Sequence, residues 1–325
     1  MTGKERIEAV FNGTQPDKVP HFELDFQIMQ EAFNIPKTPH HEMAKRYQEA
    51  DAKGKAKLIE NYFAMWKMVV DWFDWAAIHI PPNLFGVFEG EWIPMAKEYF
   101  DNRIAIYTFN GDGTYWLLPG DKMMEFAVRL YEDRDKLLEE AKTKCEASIV
   151  LAERQIAHGA DFICINSDYA YNQGPFIGPE MFSEFVTPFL TEIVSAIHSM
   201  GRKAILHSDG DLRLVLDQLV STGLDGYQSV DPQGHMDIAE VRRKYPGLVL
   251  MGNVQTSLLQ EVDEPLIRES VRYAVNSAKP GGKYIFSTSN CLFEGMPLQS
   301  YLIMLDEYER LAWYSNPYSD SSNFQ

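Results

Sequence analysis

The run Ala204-Ile-Leu-His-Ser-Asp-Gly-Asp211 carries the chemistry most readily read from this chain. It sets an imidazole and two carboxylates, groups that bind metals or move protons, at the end of a short apolar strand, where α/β barrels keep their reactive side chains. Other strand ends supply further polar residues: Glu23, His79, Ser167-Asp168-Tyr169, Gln228 to Asp231, Asn253 and Ser289-Asn290-Cys291. Among them Glu23, His207, Asp209 and Cys291 are zinc-competent ligand types arriving from three strands. The His-x-Asp spacing lets two side chains face one centre. Plainer readings stand beside this one: Asp211 as a helix cap, Asp231-Pro232 as a turn, Asn253 as a rim hydrogen-bonder, His207 as a metal-free substrate contact, Cys291 as a small buried hydrophobe. Tyr169, Tyr171, Phe176 and Tyr227 at strand ends suit the walls of a site for a flat ligand, and equally suit a core.

The elements that must hold these residues follow one grammar from residue 160 onward: an apolar strand, a polar turn, an amphipathic helix. Strands are predicted at 161–165, 203–207, 224–228, 248–252 and 283–287, with helices at about 179–200, 211–222, 236–245, 264–279 and 297–314. Near-continuous apolar strands alternating with helices imply a parallel sheet covered on both faces. Five such units favour an α/β barrel; an open doubly wound sheet is the alternative, and the glycine-rich phosphate loop it normally carries is missing. The N-terminal half is less regular, with helices predicted near 3–12, 24–33, 41–50 and 55–72 and strands at 19–23 and 76–80. Alternation on both sides of Asn110-Gly-Asp-Gly113 predicts a β-hairpin over 103–118, followed by a helix at 133–158. The expected organisation is one barrel domain over 1–315, its first 75 residues a helical layer, and a flexible tail at 316–325.

Bulk properties exclude some functions. With 325 residues, 45% of them hydrophobic, the chain can bury a large core, and a formal charge of −17 is wrong for a nucleic-acid binder. Three cysteines without a CxxC pair argue for a reducing compartment, and the start lacks an apolar signal core, so a cytoplasmic location is expected.

Gly159-Ala-Asp-Phe-Ile, Gly174-Pro-Phe-Ile-Gly-Pro-Glu-Met-Phe-Ser-Glu-Phe-Val-Thr-Pro188, Gly223-Leu-Asp-Gly, Val230-Asp-Pro232, Met251-Gly-Asn253 and Gly281-Gly-Lys-Tyr-Ile285 together resemble the uroporphyrinogen decarboxylase superfamily, in order over about residues 155–315. The resemblance implies a (β/α)8 TIM barrel, and the superfamily also holds cobalamin-dependent methyltransferases. Decarboxylases of this family carry an Arg-rich motif after the first strand and an Asp after the second. Here those places read Glu23-Leu-Asp-Phe-Gln-Ile-Met-Gln30 and Ile78-His-Ile-Pro-Pro82, and the family's late Gly-His-Gly has become Ser289-Asn290-Cys291.

The methyltransferase branch resembles the chain more closely, since its zinc is held by a His-x-Cys pair and a late Cys. His207 matches the first ligand, Asp209 replaces the second, and Asn290 stands in the third position with Cys291 one residue out of step. Fewer thiolates make a harder, more Lewis-acidic centre, suited to oxygen. The resemblance therefore implies the methyltransferase component of an O-demethylase-like system, passing methyl from a small methoxy-aromatic substrate to a separate corrinoid protein that carries cobalamin. His207, Asp209 and Asp168 would be catalytic, Zn2+ would lie on His207 with Cys291 and Glu23, and Tyr169, Tyr227, Asn290 and Asp231 would bind substrate. Homodimerisation is typical of the superfamily. The alternative is a metal-free carboxy-lyase working through Asp168 and Asp209; a third reading is a binding barrel without activity.

Overall fold

The computed structural model describes residues 1–81, 83–86, 92–111 and 113–315. Nine strands are formed among them: β1 (Ala77–His79), β2 (Ala105–Gly111), β3 (Phe162–Asn166), β4 (Ala170–Tyr171), β5 (Gly174–Pro175), β6 (Lys203–His207), β7 (Gly226–Ser229), β8 (Val249–Val254) and β9 (Tyr284–Thr288). Seven make one all-parallel sheet in the order β1-β2-β3-β6-β7-β8-β9; β4 and β5 form a small antiparallel ribbon outside it. Both edges of the seven-stranded sheet meet the same segment: Ala76 N donates to the His21 carbonyl (2.7 Å), and Phe286 N donates to that of Pro20 (2.9 Å). A sheet whose two edges reach neighbouring residues has curled upon itself.

The strands form where the alternating grammar places them because their Ile, Val, Leu and Phe side chains are covered on both faces. Helices Glu264–Ala278 and Leu298–Ala312 pack against each other outside β8 and β9, and helix Arg134–Ala157 packs on Thr187–Ser199. The helix predicted over 179–200 is two, Pro179–Phe185 and Thr187–Ser199, because Pro188 has no N–H to carry the first into the second. The helix predicted from 211 begins at Leu216: Asp211 instead closes a local turn, accepting from Arg213 N at 3.1 Å and Arg213 Nε at 2.8 Å. Segment 24–33 keeps only Met29–Phe33 helical, and 19–23 makes bridges rather than a strand of its own.

The predicted hairpin over 103–118 is not formed. Ala105–Gly111 runs between β1 and β3, parallel to both. Alternation misled because the polar residues on the outer face are tied to a covering helix rather than to water: Asn110 donates to the Ser148 carbonyl (2.9 Å) and accepts from Ser148 Oγ (2.7 Å). Asp112 of the expected turn, Pro82 and the tail at 316–325 lie outside the described residues. Among the described residues no helix is long and apolar enough to cross a membrane.

Candidate functional site

Register builds the site. β3, β6 and β7 align Asn166 with His207 and His207 with Gln228, so an imidazole and an amide from different strands stand side by side at the sheet's C-terminal edge. His207, 5% exposed, gives its Nδ1 hydrogen to Gln228 Oε1, and the amide nitrogen of Gln228 faces the carbonyls of Thr288 and Ser289 at 3.5 and 3.4 Å. That bond makes Nδ1 the donor and leaves Nε2 without a hydrogen-bond partner among the described residues. Nε2 points at two carboxylates, Asp168 Oδ1 at 3.7 Å and Asp209 Oδ2 at 4.0 Å, too far for hydrogen bonds.

Asp209 is held from three sides. Its amide N donates to Asp168 Oδ1 (3.0 Å), its Oδ1 accepts from Ser229 Oγ (2.6 Å), and its Oδ2 accepts from the Asn290 side-chain amide. Ser229 reaches it from a turn in which Ser229 and Val230 both hold positive φ, 97° and 46°, a conformation rare for residues other than glycine, rarest for a β-branched one such as Val230, and concentrated at functional sites. Burial raises the Asp209 carboxyl above the usual carboxylate range, the nearby His207 opposes that rise, and Asp168 and Asp231 add to it. Gly210, next in chain, has φ of 81°, and a Cβ there would fall 2.5 Å from the Ala170 carbonyl oxygen. A glycine is required at this point. Gly234 packs its own backbone on that of Gly210, drawing in the Asp231 turn, whose Oδ2 accepts from Gly210 N at 3.1 Å.

Asp168, His207 and Asp209 thus offer three ligand atoms within 4.8 Å of one another. The other expected ligands are elsewhere. Glu23, 1% exposed, accepts from Thr288 N (2.8 Å) and Thr288 Oγ1 (2.6 Å), and its second oxygen lies 3.2 Å from His21 Nε2. Its lone pairs are committed to the closing seam of the sheet. Cys291 is outside the group too; its amide N donates to Asn290 Oδ1 (2.6 Å), and burial, with Asp25 and Asp209 nearby, pushes its thiol well up.

Of the aromatic residues expected to wall a substrate site, Tyr169, Phe176 and Tyr227 are core and Tyr171 is exposed. Tyr169 is fully buried, its hydroxyl 2.7 Å from Thr114 Oγ1 and its ring against Phe176 and Phe182, and burial raises it to about 12. Tyr227 spends its hydroxyl on the Ser208 carbonyl (3.2 Å). A cavity of about 360 Å³ opens instead beside Asp209, Asp231 and Asn290, with Asn172, Gln233 and Gln260 among its walls. Of these, sequence reasoning missed Asn172, Gln233 and Gln260; each follows a strand end by several residues, and only the paths of the loops bring them inward. Asn253 donates to the Val230 carbonyl (2.9 Å), as a rim hydrogen-bonder does.

The family model for uroporphyrinogen decarboxylase matches residues 117–311. This chain belongs to the uroporphyrinogen decarboxylase family. Two curated relatives, uroporphyrinogen decarboxylases of Anaeromyxobacter sp. (strain Fw109-5) and Anaeromyxobacter dehalogenans (strain 2CP-C), are each 26% identical over 168 residues, 52% of this chain and 46% of theirs. The match spans about half the length of those relatives. A methyltransferase from Methanosarcina mazei shares the fold, with a TM-score of 0.73 at 16% identity over 95% of this chain and 99% of that one.

Where the resemblance to the family's decarboxylases calls for an Asp near the second strand, this family member has His79, at the end of β1. Its ring lies 4.1 Å from that of Phe109 and 5.6 Å from that of Tyr107, and its Nε2 is enclosed without a hydrogen-bond partner among the described residues. Burial lowers its pKa to about 3. The unfolded chain then takes up this proton first as pH falls below the ordinary value of 6.5, so stability contributed by neutral His79 is complete above 6.5 and declines as pH drops toward 3. We expect the His79 ring resonances to stay flat from about pH 8 to pH 5 in NMR spectra, and His79→Phe to flatten the acid limb of the stability curve. A ring titrating near neutrality would refute this.

Proposed function

We propose that this family member transfers a methyl group from oxygen of a small substrate to the cobalt of a separate corrinoid protein, with Zn2+ at Asp168, His207 and Asp209. The observation that carries the reading is the bare Nε2 of His207, aimed between two carboxylates that it does not hydrogen-bond and fixed from behind by Gln228. Two acids and an imidazole nitrogen gathered around one point without bonding each other offer a cation three ligand atoms, and the contacts of Gln228, Ser229 and Asn290 behind them are of the kind that orient metal ligands. A donor set of one imidazole and two carboxylates fits a hard Lewis acid, and Zn2+ bound there supplies stabilisation of developing charge on the leaving oxygen.

The chain's own residues do the remainder. The C–O bond of the methyl ether breaks with its electron pair left on oxygen, while the cobalt(I) pair forms the new bond to carbon. Asp209, anchored by Ser229 and Asn290, and Asp168, 40% exposed at its side chain, would hold the centre against the cavity, and solvent reaching that open side supplies the proton for the oxygen left behind. We read Pro20–His21 as the eighth strand position of a (β/α)8 barrel, which fits its bonds to both sheet edges. Three unpaired cysteines fit a cytoplasmic setting, and exposed Trp72 fits a homodimer contact. A metal-free lyase using Asp168 and Asp209 is the second reading, favoured by the raised carboxyl of Asp209.

Elemental analysis of the purified protein, followed by incubation with methyl ethers and free cobalt(I) cobalamin, separates the two. Near-stoichiometric zinc and the absorbance of methylcobalamin are expected. Turnover of a carboxylated substrate with release of CO2 and no corrinoid would overturn the methyl-transfer reading in favour of the lyase.

A further inference from the structure

The walls of the 360 Å³ cavity identify the kind of molecule it takes, an inference that rests on the methyl-transfer reading and makes its substrate specific. Two carboxylates, Asp209 and Asp231, stand on one side, and none of the described lining residues is Lys or Arg. Asp231 accepts hydrogen bonds from Gly210 N (3.1 Å) and Gln233 N (2.9 Å), which hold its carboxylate at the cavity wall. A substrate carboxylate or phosphate here would lose its water and meet Asp231 with no Lys or Arg of the described lining to pair it, the charge of Zn2+ being offset by Asp168 and Asp209.

The rest of the lining is amide and hydroxyl. Asn172, Gln233 and Gln260 are exposed residues of the lining whose side-chain amides have no hydrogen-bond partner among the described residues, so each has donors and an acceptor to give a ligand. Thr256 and Ser257 add hydroxyls, and Phe293 is the one ring. Three uncommitted amides recognise a ligand that itself both donates and accepts. A wall of aromatic rings, which a bare methoxyarene would need, is absent among the described lining residues because Tyr169 and Tyr227 are turned into the core. We infer that the methyl donor is a small uncharged molecule bearing amide, hydroxyl or further ether groups beside its methoxy oxygen, and that anionic methyl ethers are excluded.

The test uses three probes of one size and different charge, 2-methoxybenzamide, 2-methoxybenzoate and 2-methoxybenzylammonium, with calorimetric binding to the whole metal-loaded protein as readout. The amide should bind at least about tenfold more tightly than the carboxylate, a difference of about 1.4 kcal/mol. Gln233→Lys should shift that preference toward the carboxylate. Equal or tighter binding of the carboxylate or the ammonium by the unaltered protein overturns the inference, as does failure of all three to bind. Methylcobalamin formation is scored separately on the same probes. Amide binding without methyl transfer would sink the proposed reaction and leave the substrate class standing; demethylation of the carboxylate would do the reverse.

Discussion

His207→Ala is expected to lower methyl transfer by roughly 10³-fold, about 4 kcal/mol in the barrier, and to bring zinc content from near-stoichiometric to near zero. His207 is the one member of the triad whose Nε2 faces both others, at 3.7 and 4.0 Å, so its removal leaves two acids repelling across an unfilled gap. The fold should survive, since the sheet is joined through four other strand pairs besides β6's own two, and the far-ultraviolet circular dichroism should not change. Gln228→Leu is the informative companion. It leaves every ligand atom in place and releases only the imidazole tautomer, and a loss of about 10- to 100-fold in metal affinity is expected. A His207→Ala protein that retains both zinc and activity would remove the basis of the site assignment.

Glu23→Ala should act on stability and not on metal. Thr288 N is left without its acceptor, while Thr288 Oγ1 keeps the Asn290 carbonyl (2.7 Å) and the ring of His21 keeps the Phe73 carbonyl (3.2 Å) and Tyr301 (3.3 Å). Leaving that amide buried and unpaired costs about 2–3 kcal/mol, which for a chain of this size lowers the melting temperature by roughly 3–4 °C. Thermal unfolding and zinc content, measured on one preparation, decide the matter. Zinc loss at unchanged stability would restore Glu23 as a ligand and overturn its assignment to the closing seam.

The sequence by itself determined the repeating strand–helix order after residue 160, the placing of His207, Asp168 and Asp209 at strand ends, and the motifs by which family membership is recognised. These properties are local: apolar runs of four or five residues, turn chemistry at Gly210, and side-chain type need no partner to be read. What lay beyond sequence was which groups meet. Gln228 becomes the support of His207 only through the β6–β7 register, and Asn290 reaches Asp209 only because the sheet curls until β9 stands near β6. Glu23, Tyr169 and Tyr227 have the right types for a site and sit near the right ends, yet each finds its partner on the core side, at Thr288, Thr114 and Ser208. The segment Ala105–Gly111 shows the same limit at the level of a whole element, since period-two alternation is identical whether the outer face meets water or Ser148 of a helix. Side-chain type decides what a residue is able to bind; the closing of the sheet decides what is there to be bound.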